Sequence, residues 1–231
     1  MILTPDFAFI HCEKTGGMSM TRYLVNAIDA PVSVVASAKS RQKTQKLCTT
    51  PERAAKVTSI DGPRHGKPAD ALRLIEDHGL PRPDWAFVMI RHPVDLMLSY
   101  YKHIRKPHVW KRRGLDPDNL TGHVKMAVDS DFDTFVRKAK FYAHDDDRLM
   151  QFFEPAGFSR LDVVPLERVV EYIDLRFSGQ TNAQDTELEH RNKSKDPRRA
   201  NDIDPETRAF IRQTYPRTEA TYEAALEARW D

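Results

Sequence analysis

The chain has 231 residues, and its 36 lysines and arginines nearly balance its 34 aspartates and glutamates, leaving a formal net charge of +2. This length is enough to bury a full core, and it predicts a single domain over residues 1–231. The balanced charge excludes a strong attraction of the whole molecule to polyanions, so no nucleic-acid partner is expected.

Cysteine usage and hydropathy bear on the cellular compartment. Cys12 and Cys48 are too few for a disulfide framework and are expected to be reduced thiols. No apolar run approaches the length of a membrane span, and the first residues lead into an apolar strand without the features of a signal peptide. The sequence therefore predicts a cytoplasmic protein with no integral membrane segment, and it does not indicate the oligomeric state.

Apolar runs alternate with helical patterns along the whole chain. Strands are predicted at residues 7–11, 31–35, 57–60, 85–90 and 161–165. Helices are predicted at residues 19–28, 68–78, 93–101, 131–142, 146–153, 166–177 and 205–230, the last interrupted near Pro216. Loops are predicted at residues 105–122 and 178–204, and a loop with some helix is predicted at residues 39–56. This order predicts a three-layer α/β, P-loop-NTPase-like fold with a mainly parallel central sheet flanked by helices, and ligands at the carboxyl ends of its strands.

A glycine turn follows the first predicted strand, in the segment Phe7-Ala-Phe-Ile-His-Cys-Glu-Lys-Thr-Gly-Gly-Met-Ser19. A turn that leads from a buried strand into a helix presents backbone N–H groups to an anion, and the helix dipole favours negative charge there. The G-x-x-x-x-G-K-[ST] spacing of nucleoside-triphosphate P-loops is absent. The segment predicts a phosphate-type site formed by Lys14, Thr15, Gly16, Gly17, Met18 and Ser19.

A second candidate anion contact follows the strand at 85–90, in the segment Arg91-His-Pro-Val-Asp-Leu-Met-Leu-Ser-Tyr-Tyr101. Arg91 comes directly after the strand, which holds it near the carboxyl end, and a guanidinium can make two parallel hydrogen bonds to a phosphate. Ser99 follows about two helical turns later and offers a hydroxyl. Each residue alone is also typical of a surface ion pair or a surface helix, so the prediction depends on the two motifs occurring together.

The two motifs resemble those of sulfotransferases that use 3′-phosphoadenosine 5′-phosphosulfate (PAPS), in particular the carbohydrate and heparan-type branch. The loop of that branch typically reads His-x-Pro-Lys-Thr-Gly-Gly-Thr-Ser, and its second motif reads Arg-x-Pro-x-x-Arg-x-x-Ser-x-Tyr. This chain departs from the loop pattern at Glu13 and Met18, and Leu96 or Met97 replaces the second arginine. With no anchor segment, it resembles a soluble, bacterial-type member.

The resemblance implies a role for each matching residue. The turn amides from Thr15 to Ser19 would hold the 5′-phosphate, and Lys14 would stabilise the charge on the leaving adenosine 3′,5′-bisphosphate. Arg91 and Ser99 would bind the 3′-phosphate. The scheme requires no metal, and no cluster with metal-ligand spacing is evident in the sequence.

The C-terminal half resembles the family more weakly. The segment His190-Arg-Asn-Lys-Ser194 is similar to a family loop, rich in Asn, Lys and Ser, that closes over the nucleotide. Lys193 and Arg198 are candidates to supply charge to the 3′-phosphate. A solvated basic loop is the alternative interpretation of the same residues.

Sulfuryl transfer to a hydroxyl also needs a base. His65 is favoured, because it lies between a predicted strand and a predicted helix in a context that resembles a histidine-containing family segment. His11 is the chief alternative for a catalytic role, although its place at a strand end favours a structural hydrogen bond. The chain has nine histidines, and a lone loop histidine is often simply exposed.

The acceptor is predicted to be a hydroxyl compound, and the resemblance alone implies a carbohydrate or other small molecule. The basic stretch at 102–113 suits a sugar or an anionic acceptor, and Trp110 within it either stacks on a sugar ring or packs inward. Two other functions stay open: a nucleotide kinase or other phosphotransferase, and a non-catalytic nucleotide-binding module of the same fold. The absent G-K-[ST] order disfavours the first, and the retained Lys14 disfavours the second.

Overall fold

The computed structural model describes residues 1–38, 44–112, 114–138, 145–180, 188 and 199–230. In these ranges the strands are β1 (Ile2–Leu3), β2 (Phe7–Ile10), β3 (Val32–Ala36), β4 (Val57–Asp61), β5 (Trp85–Ile90) and β6 (Arg160–Pro165). The helices are α1 (Gly17–Ala27), α2 (Pro51–Lys56), α3 (Pro68–Asp77), α4 (Pro93–Ile104), α5 (Pro107–Lys111), α6 (Gly122–Asp129), α7 (Phe132–Lys138), α8 (Asp146–Met150), α9 (Val169–Phe177), α10 (Pro205–Thr214) and α11 (Pro216–Glu227). Short 3₁₀ helices occupy Gln45–Leu47, Leu166–Arg168 and Ala200–Asp202.

The strands form one sheet in the order β4-β3-β1-β2-β5-β6. β2 pairs with β5, β5 with β6 and β3 with β4, all in parallel, whereas β1 is antiparallel to both of its neighbours. A mainly parallel central sheet confirms the predicted fold class. β1 is not predicted from the sequence, because a strand of two residues has no periodicity to detect.

Helices cover both faces of the sheet. On one face, Phe7 and Phe9 of β2 pack with α1 and α9 in a single core cluster. Successive residues of a strand point to opposite faces, so Val35 of β3 lies on the other face from that cluster's Val34. There Val35 and Leu74 of α3 both adjoin Gly62. The alternation of side chains therefore distributes the core over two helical layers, as the three-layer prediction requires.

The chain divides into two compact units. Unit 1 consists of Met1–Ile90, Met150–Arg191 and Glu223–Asp231, and it contains the whole sheet. Unit 2 consists of Arg91–Leu149 and Asn192–Tyr222, and its described residues are helical or irregular. Each unit is discontinuous in sequence, so the chain passes from one to the other more than once. The expectation of one domain for residues 1–231 stays a prediction.

The stretch predicted as a loop at 105–122 is more ordered than its sequence indicates. It contains α5, and α6 begins at its last residue. Pro107 occupies the first turn of α5, where its missing N–H costs no hydrogen bond. Val109 and Trp110 are buried. The proline, glycine and charged residues of this stretch are typical of a loop, but burial of apolar side chains stabilises a helix there.

The C-terminal helices agree with the sequence pattern. α10 and α11 occupy the predicted helical region, and Pro216 begins α11 at the predicted break. Asp204 caps α10, its carboxylate accepting the Thr207 N–H at 3.0 Å. None of the described helices is long and apolar enough to cross a membrane.

Candidate anion-binding site

The predicted glycine turn lies between β2 and α1. β2 ends at Ile10, runs parallel to β5 and is fully buried. The turn therefore stands at the carboxyl end of an internal parallel strand, which is where α/β folds bind their ligands. Because the strand below it is buried, the turn has a rigid base.

Both glycines of the turn are required by the side chains that pack against them. Gly16 has a φ of 87° as the N-cap of α1, a left-handed conformation that glycine adopts without steric cost. A Cβ on Gly16 would lie 3.0 Å from Leu166 Cδ1, and a Cβ on Gly17 would lie 2.0 Å from His11 Cδ2. The backbone of the turn thus rests directly on other side chains.

The first N–H groups of α1 have the features of an anion site. Gly16 has no side chain to cap the helix, and the first turn of α1 carries no acidic residue. The Gly16 carbonyl accepts hydrogen bonds from the N–H of Ser19 at 2.9 Å and of Met20 at 3.3 Å. The N–H groups of Gly17 and Met18 precede these and, as the first amides of a helix, have no intrahelical acceptor. They and the helix dipole favour a bound anion.

Lys14 and Thr15 shape the turn ahead of the glycines. Lys14 has a φ of 65°, a left-handed conformation that costs a residue with a side chain about 1–2 kcal/mol. Thr15 is buried, and its Oγ1 donates to the Cys12 carbonyl at 2.9 Å. The Thr15 hydroxyl therefore stabilises the turn itself, and its backbone N–H is the group it can offer a ligand. Turns that include left-handed residues typically form concave nests of N–H groups.

His11 lies beneath the turn, 3% exposed. Its ring adjoins Gly17 and contacts the ring of His65 edge-on, with 4.5 Å between the centroids. Burial, and then the neighbouring positive charges, hold the pKa of His11 well below its usual range, so the ring is neutral. Among the described residues Nδ1 of His11 has no hydrogen-bond partner. The sequence predicts a structural hydrogen bond from the His11 side chain, and Nδ1 does not form one with any described residue. The ring instead packs beneath the turn, against Gly17.

His65 lies between β4 and α3, next to His11. Its Nδ1 is 3.1 Å from the His11 carbonyl oxygen. Because a carbonyl oxygen only accepts, Nδ1 carries the proton and the lone pair of the neutral ring is on Nε2. Burial, opposed by this hydrogen bond and assisted by nearby positive charges, lowers the pKa of His65 to about 4. The imidazole is therefore neutral near pH 7, which is the state that a general base needs.

Arg91 and Ser99 belong to unit 2. Arg91 follows β5 directly, and its Nη2 lies 3.7 Å from Oδ1 of Asp95, one helical turn further along. Ser99 is partly exposed within α4. Leu96, which replaces the second arginine of the family motif, is 2% exposed and belongs to the apolar interior. An arginine buried at position 96 would need an ion-pair partner, so leucine in place of the family's arginine is consistent with the local packing.

His92 caps α4 with its side chain. The Val94 N–H donates to His92 Nδ1 at 3.2 Å, and Pro93 occupies the first helical position. The His92 ring meets Tyr222 edge-on, with 5.2 Å between the centroids. Hydrogen bonding and packing thus account for this histidine without a catalytic role.

Of the remaining predicted ligand contacts, the structure describes Trp110 but not the two basic residues of the predicted C-terminal loop. Trp110 is buried, and its Nε1 donates to the Arg105 carbonyl at 3.4 Å, so of the two alternatives the inward-packed one is observed. Lys193 and Arg198 lie outside the described residues.

Three contributors to the turn are not predicted from the sequence. Leu166 and Met89 approach the position of a Gly16 Cβ to 3.0 and 3.3 Å. Glu13 directs its Oε1 to within 3.9 Å of His65 Nε2. Apolar residues at the ends of neighbouring parallel strands could have identified the floor of the turn. No sequence pattern reports the direction of the Glu13 side chain.

Comparisons with known proteins give one similar structure. Neither a scan of protein-family models nor a search of curated proteins finds a match. Among solved structures, the chain is similar to a sulfotransferase from Alicyclobacillus acidocaldarius, with 12% sequence identity and a TM-score of 0.48, over 99% of this chain and 98% of that one. At this identity and TM-score, the likeness assigns neither a family nor an activity to the chain.

Proposed function

We propose that the chain is a sulfotransferase that transfers a sulfuryl group from PAPS to a hydroxyl acceptor, in a carbohydrate or another small molecule. The observation that carries the proposal is the turn between β2 and α1. Its glycines rest on other side chains, Gly16 is left-handed, and the first N–H groups of α1 have no capping side chain. These features support an anion site made of backbone N–H groups, with Lys14 as part of the same turn. The lysine precedes the glycines, which departs from the G-K-[ST] order of nucleoside-triphosphate P-loops; PAPS as the donor is what the resemblance to the sulfotransferase loop implies.

The turn would bind the 5′ end of the donor. The backbone N–H groups from Thr15 to Met18 would hydrogen-bond the 5′-phosphate, whereas the Ser19 N–H already donates to the Gly16 carbonyl. Lys14 would stabilise the charge that develops on the leaving oxygen. PAPS itself supplies the activated sulfuryl group. A preorganised donor at such a position typically contributes about 10²–10³-fold to turnover, because it needs no rearrangement as charge develops.

The sequence motif assigns the 3′-phosphate to Arg91 and Ser99. Arg91 already has a carboxylate 3.7 Å away at Asp95, so a phosphate would compete with that carboxylate for the guanidinium. Lys193 and Arg198 remain candidates for the same phosphate. No metal is part of the proposal.

His65 would accept the proton of the acceptor hydroxyl at Nε2. The hydrogen bond from Nδ1 to the His11 carbonyl holds the ring and fixes which nitrogen is the base. General-base catalysis of this kind typically contributes about 10²–10⁴-fold. We expect His65→Ala to lose turnover while donor binding is retained.

Thermal stabilisation by ligands tests the class of donor. Adenosine 3′,5′-bisphosphate at 100 times its dissociation constant is expected to stabilise the protein by about 2.7 kcal/mol. ATP with Mg²⁺ is expected to produce no comparable shift. Stabilisation by ATP with Mg²⁺ but not by the bisphosphate would instead identify a phosphotransferase site and reject the proposal.

Transfer of labelled sulfate from PAPS to a panel of glycans and small hydroxyl compounds tests the reaction. Arg91→Ala is expected to weaken bisphosphate binding by about tenfold or more, because a charge-assisted hydrogen bond is worth roughly 1.5–3 kcal/mol. Lys125→Ala, which removes an exposed cation of α6, is the control and should leave binding and transfer unchanged. Bisphosphate binding without transfer to any acceptor would favour the non-catalytic binding module.

A further inference from the structure

Glu13 is the residue of the turn whose presence the anion site does not explain. It precedes Lys14, where the sequence motif usually has proline, and it adds a negative charge beside a site for a multiply charged donor. Its side chain is directed at His65, with Glu13 Oε1 3.9 Å from His65 Nε2. Both side chains are about one-third exposed, at 39% for Glu13 and 34% for His65.

The orientation of His65 decides which of its nitrogens faces Glu13. Nδ1 is engaged with the His11 carbonyl, so the nitrogen that carries the lone pair is the one nearest the carboxylate. A proton arriving at Nε2 would create an imidazolium about 4 Å from a negative charge. At that distance the attraction between unit charges is about 1 kcal/mol in water and about 4 kcal/mol near a protein surface.

Several basic groups lie near the His65 ring. They are His11 at the end of β2, Lys14 in the turn, Arg64 in the β4–α3 connection, and the Met1 amino group, which donates to the Arg64 carbonyl. Burial first, and then the Met1 amino group, Arg64 and Lys14, lower the pKa of His65 and so disfavour its protonation. With a pKa of about 4, His65 is a weak base near neutral pH, so a negative charge that stabilises its imidazolium favours the proton transfer.

We propose that Glu13 is a positioning residue for His65, its carboxylate stabilising the imidazolium that forms when His65 Nε2 takes the proton of the acceptor. This inference rests on the proposed function, since it concerns the base of the same reaction. It explains why the turn contains a carboxylate despite the anionic donor.

The proton and electron pairs balance within the transfer itself. The acceptor hydroxyl loses its proton to His65 Nε2 while its oxygen forms a bond to the donor sulfur. The bond between that sulfur and the 5′-phosphate oxygen breaks, and its electron pair leaves with adenosine 3′,5′-bisphosphate. The proton on Nε2 is then released to water.

The sharpest test measures the pKa of His65 directly, with no reaction required. Histidine ring signals are followed by NMR from pH 2 to 8 in the wild type and in Glu13→Gln, and the His65 signal is identified by its loss in His65→Asn. The pKa of His65 is expected to be about one unit lower in Glu13→Gln, because an opposite charge is removed. The exposed glutamate of α3 provides the control, Glu76→Gln, which should leave the value unchanged. Equal pKa values in the wild type and in Glu13→Gln would overturn the proposal.

Binding and turnover in Glu13→Gln should change in opposite directions. Bisphosphate should bind about two- to fivefold more tightly, because a repulsive charge is gone, whereas turnover should fall about three- to tenfold, because the base is weaker. A merely structural role of Glu13 would weaken both, and that result would overturn the proposal. Glu13→Asp, which keeps the charge, should recover part of the turnover. In a His65→Asn background, Glu13→Gln should have no further effect on turnover.

The two proposals fail in distinguishable ways. If the bisphosphate does not bind the wild-type protein, the proposed function is wrong, yet the NMR titration still decides whether Glu13 acts on His65. If the bisphosphate binds and the pKa of His65 does not respond to Glu13→Gln, only the inference about Glu13 is wrong.

Discussion

The two strand-to-helix turns that carry the predicted motifs cap their helices in opposite ways. After β2, the N-cap of α1 is Gly16, which has no side chain to offer. After β5, His92 caps α4 by accepting the Val94 N–H, and Pro93 has no N–H to satisfy. The first turn keeps its backbone donors available, whereas the second satisfies part of its own helix terminus and presents a side chain, Arg91.

The difference separates two kinds of anion contact. A nest of backbone N–H groups has a fixed geometry, so it depends on glycine and on the packing beneath it. A guanidinium on a side chain is adjustable, and its neighbours change its affinity mainly through charge. Substitutions should therefore affect the first turn through packing and backbone strain, and the second turn through electrostatics.

The largest effect is expected where the first turn meets His11. Gly17→Ala would place a Cβ 2.0 Å from His11 Cδ2 and 2.2 Å from its Nε2, so the ring or the turn must move. We expect a loss of about 2–3 kcal/mol of unfolding free energy, as for other overpacked interiors, and loss of bisphosphate binding. Chemical denaturation and calorimetry measure the two quantities.

A matched control is available for that substitution. A Cβ added to Gly179 would meet no atom within 4 Å, so Gly179→Ala tests the loss of a glycine without a clash. We expect its stability to lie within about 0.5 kcal/mol of the wild type. If Gly17→Ala proves as mild as Gly179→Ala, the turn does not depend on contact with His11.

Two substitutions at Lys14 distinguish the effect of its charge from the effect of its backbone strain. Lys14→Ala and Lys14→Gly both remove the ammonium, so both should reduce turnover by about 10²-fold or more. Only glycine relieves the left-handed φ of 65°, so Lys14→Gly should be about 1 kcal/mol more stable than Lys14→Ala. Denaturation curves of the two variants measure this difference. Equal stabilities would indicate that the strain at Lys14 is relieved by other parts of the turn.

The sequence predicts the position of the first turn because its signals are local. The apolar run of β2 and the glycines that follow are adjacent in the chain. The left-handed φ at position 16 is indicated by the glycine there, because glycine adopts this conformation without steric cost. The second turn is predicted in the same way from β5 and Pro93. Apart from β1, the strands of unit 1 are likewise predicted with small shifts in their ends, because each is a short apolar or β-prone run.

The unpredicted features depend on tertiary contacts, most of them between parts of the chain that are distant in sequence. The hydrogen bond from His65 Nδ1 to the His11 carbonyl spans 54 residues. β1 exists because it fits between β2 and β3, and α5 forms because Trp110 is buried. The orientation of Glu13 belongs to the same class. Local sequence patterns carry no information on such contacts. The contacts nevertheless decide which chemical role each side chain can have.

Acid should destabilise the first turn through its histidines. The pKa of His65 is lowered from 6.5 to about 4 in the folded protein, so between these values the unfolded chain binds more protons than the folded one. Stability therefore falls as the pH is lowered through this window. For this partly exposed ring we expect a loss of about 1 kcal/mol between pH 7 and pH 5.

His65→Asn tests that contribution, since an asparagine amide can also donate to the His11 carbonyl. Denaturation at pH 7, 6 and 5 should show a shallower decline than in the wild type. Part of the decline should persist, because burial also lowers the pKa of His11. An unchanged decline in His65→Asn would mean that His65 does not resist protonation in the folded state.

The smallest effect is expected at the second turn, from Asp95→Asn. Asp95 lies 3.7 Å from Arg91 and, in the proposed site, would compete with the 3′-phosphate for the guanidinium. Its removal should tighten bisphosphate binding about two- to fivefold, the range of a partly exposed ion pair. It should also cost about 0.5 kcal/mol of stability, because Asp95 lies in the first turn of α4, where the helix dipole favours an acid.

Calorimetry against the bisphosphate measures the affinity, and Asp129→Asn is the matched control. Asp129 forms an ion pair with Lys125 in α6 at the same four-residue spacing, with 2.7 Å between the charged atoms. Its removal should leave the affinity unchanged. Weaker binding in Asp95→Asn would show that the carboxylate orients Arg91 for the phosphate instead of competing with it. The second turn would then depend on preorganised geometry as the first one does, and the contrast between the two turns would be lost.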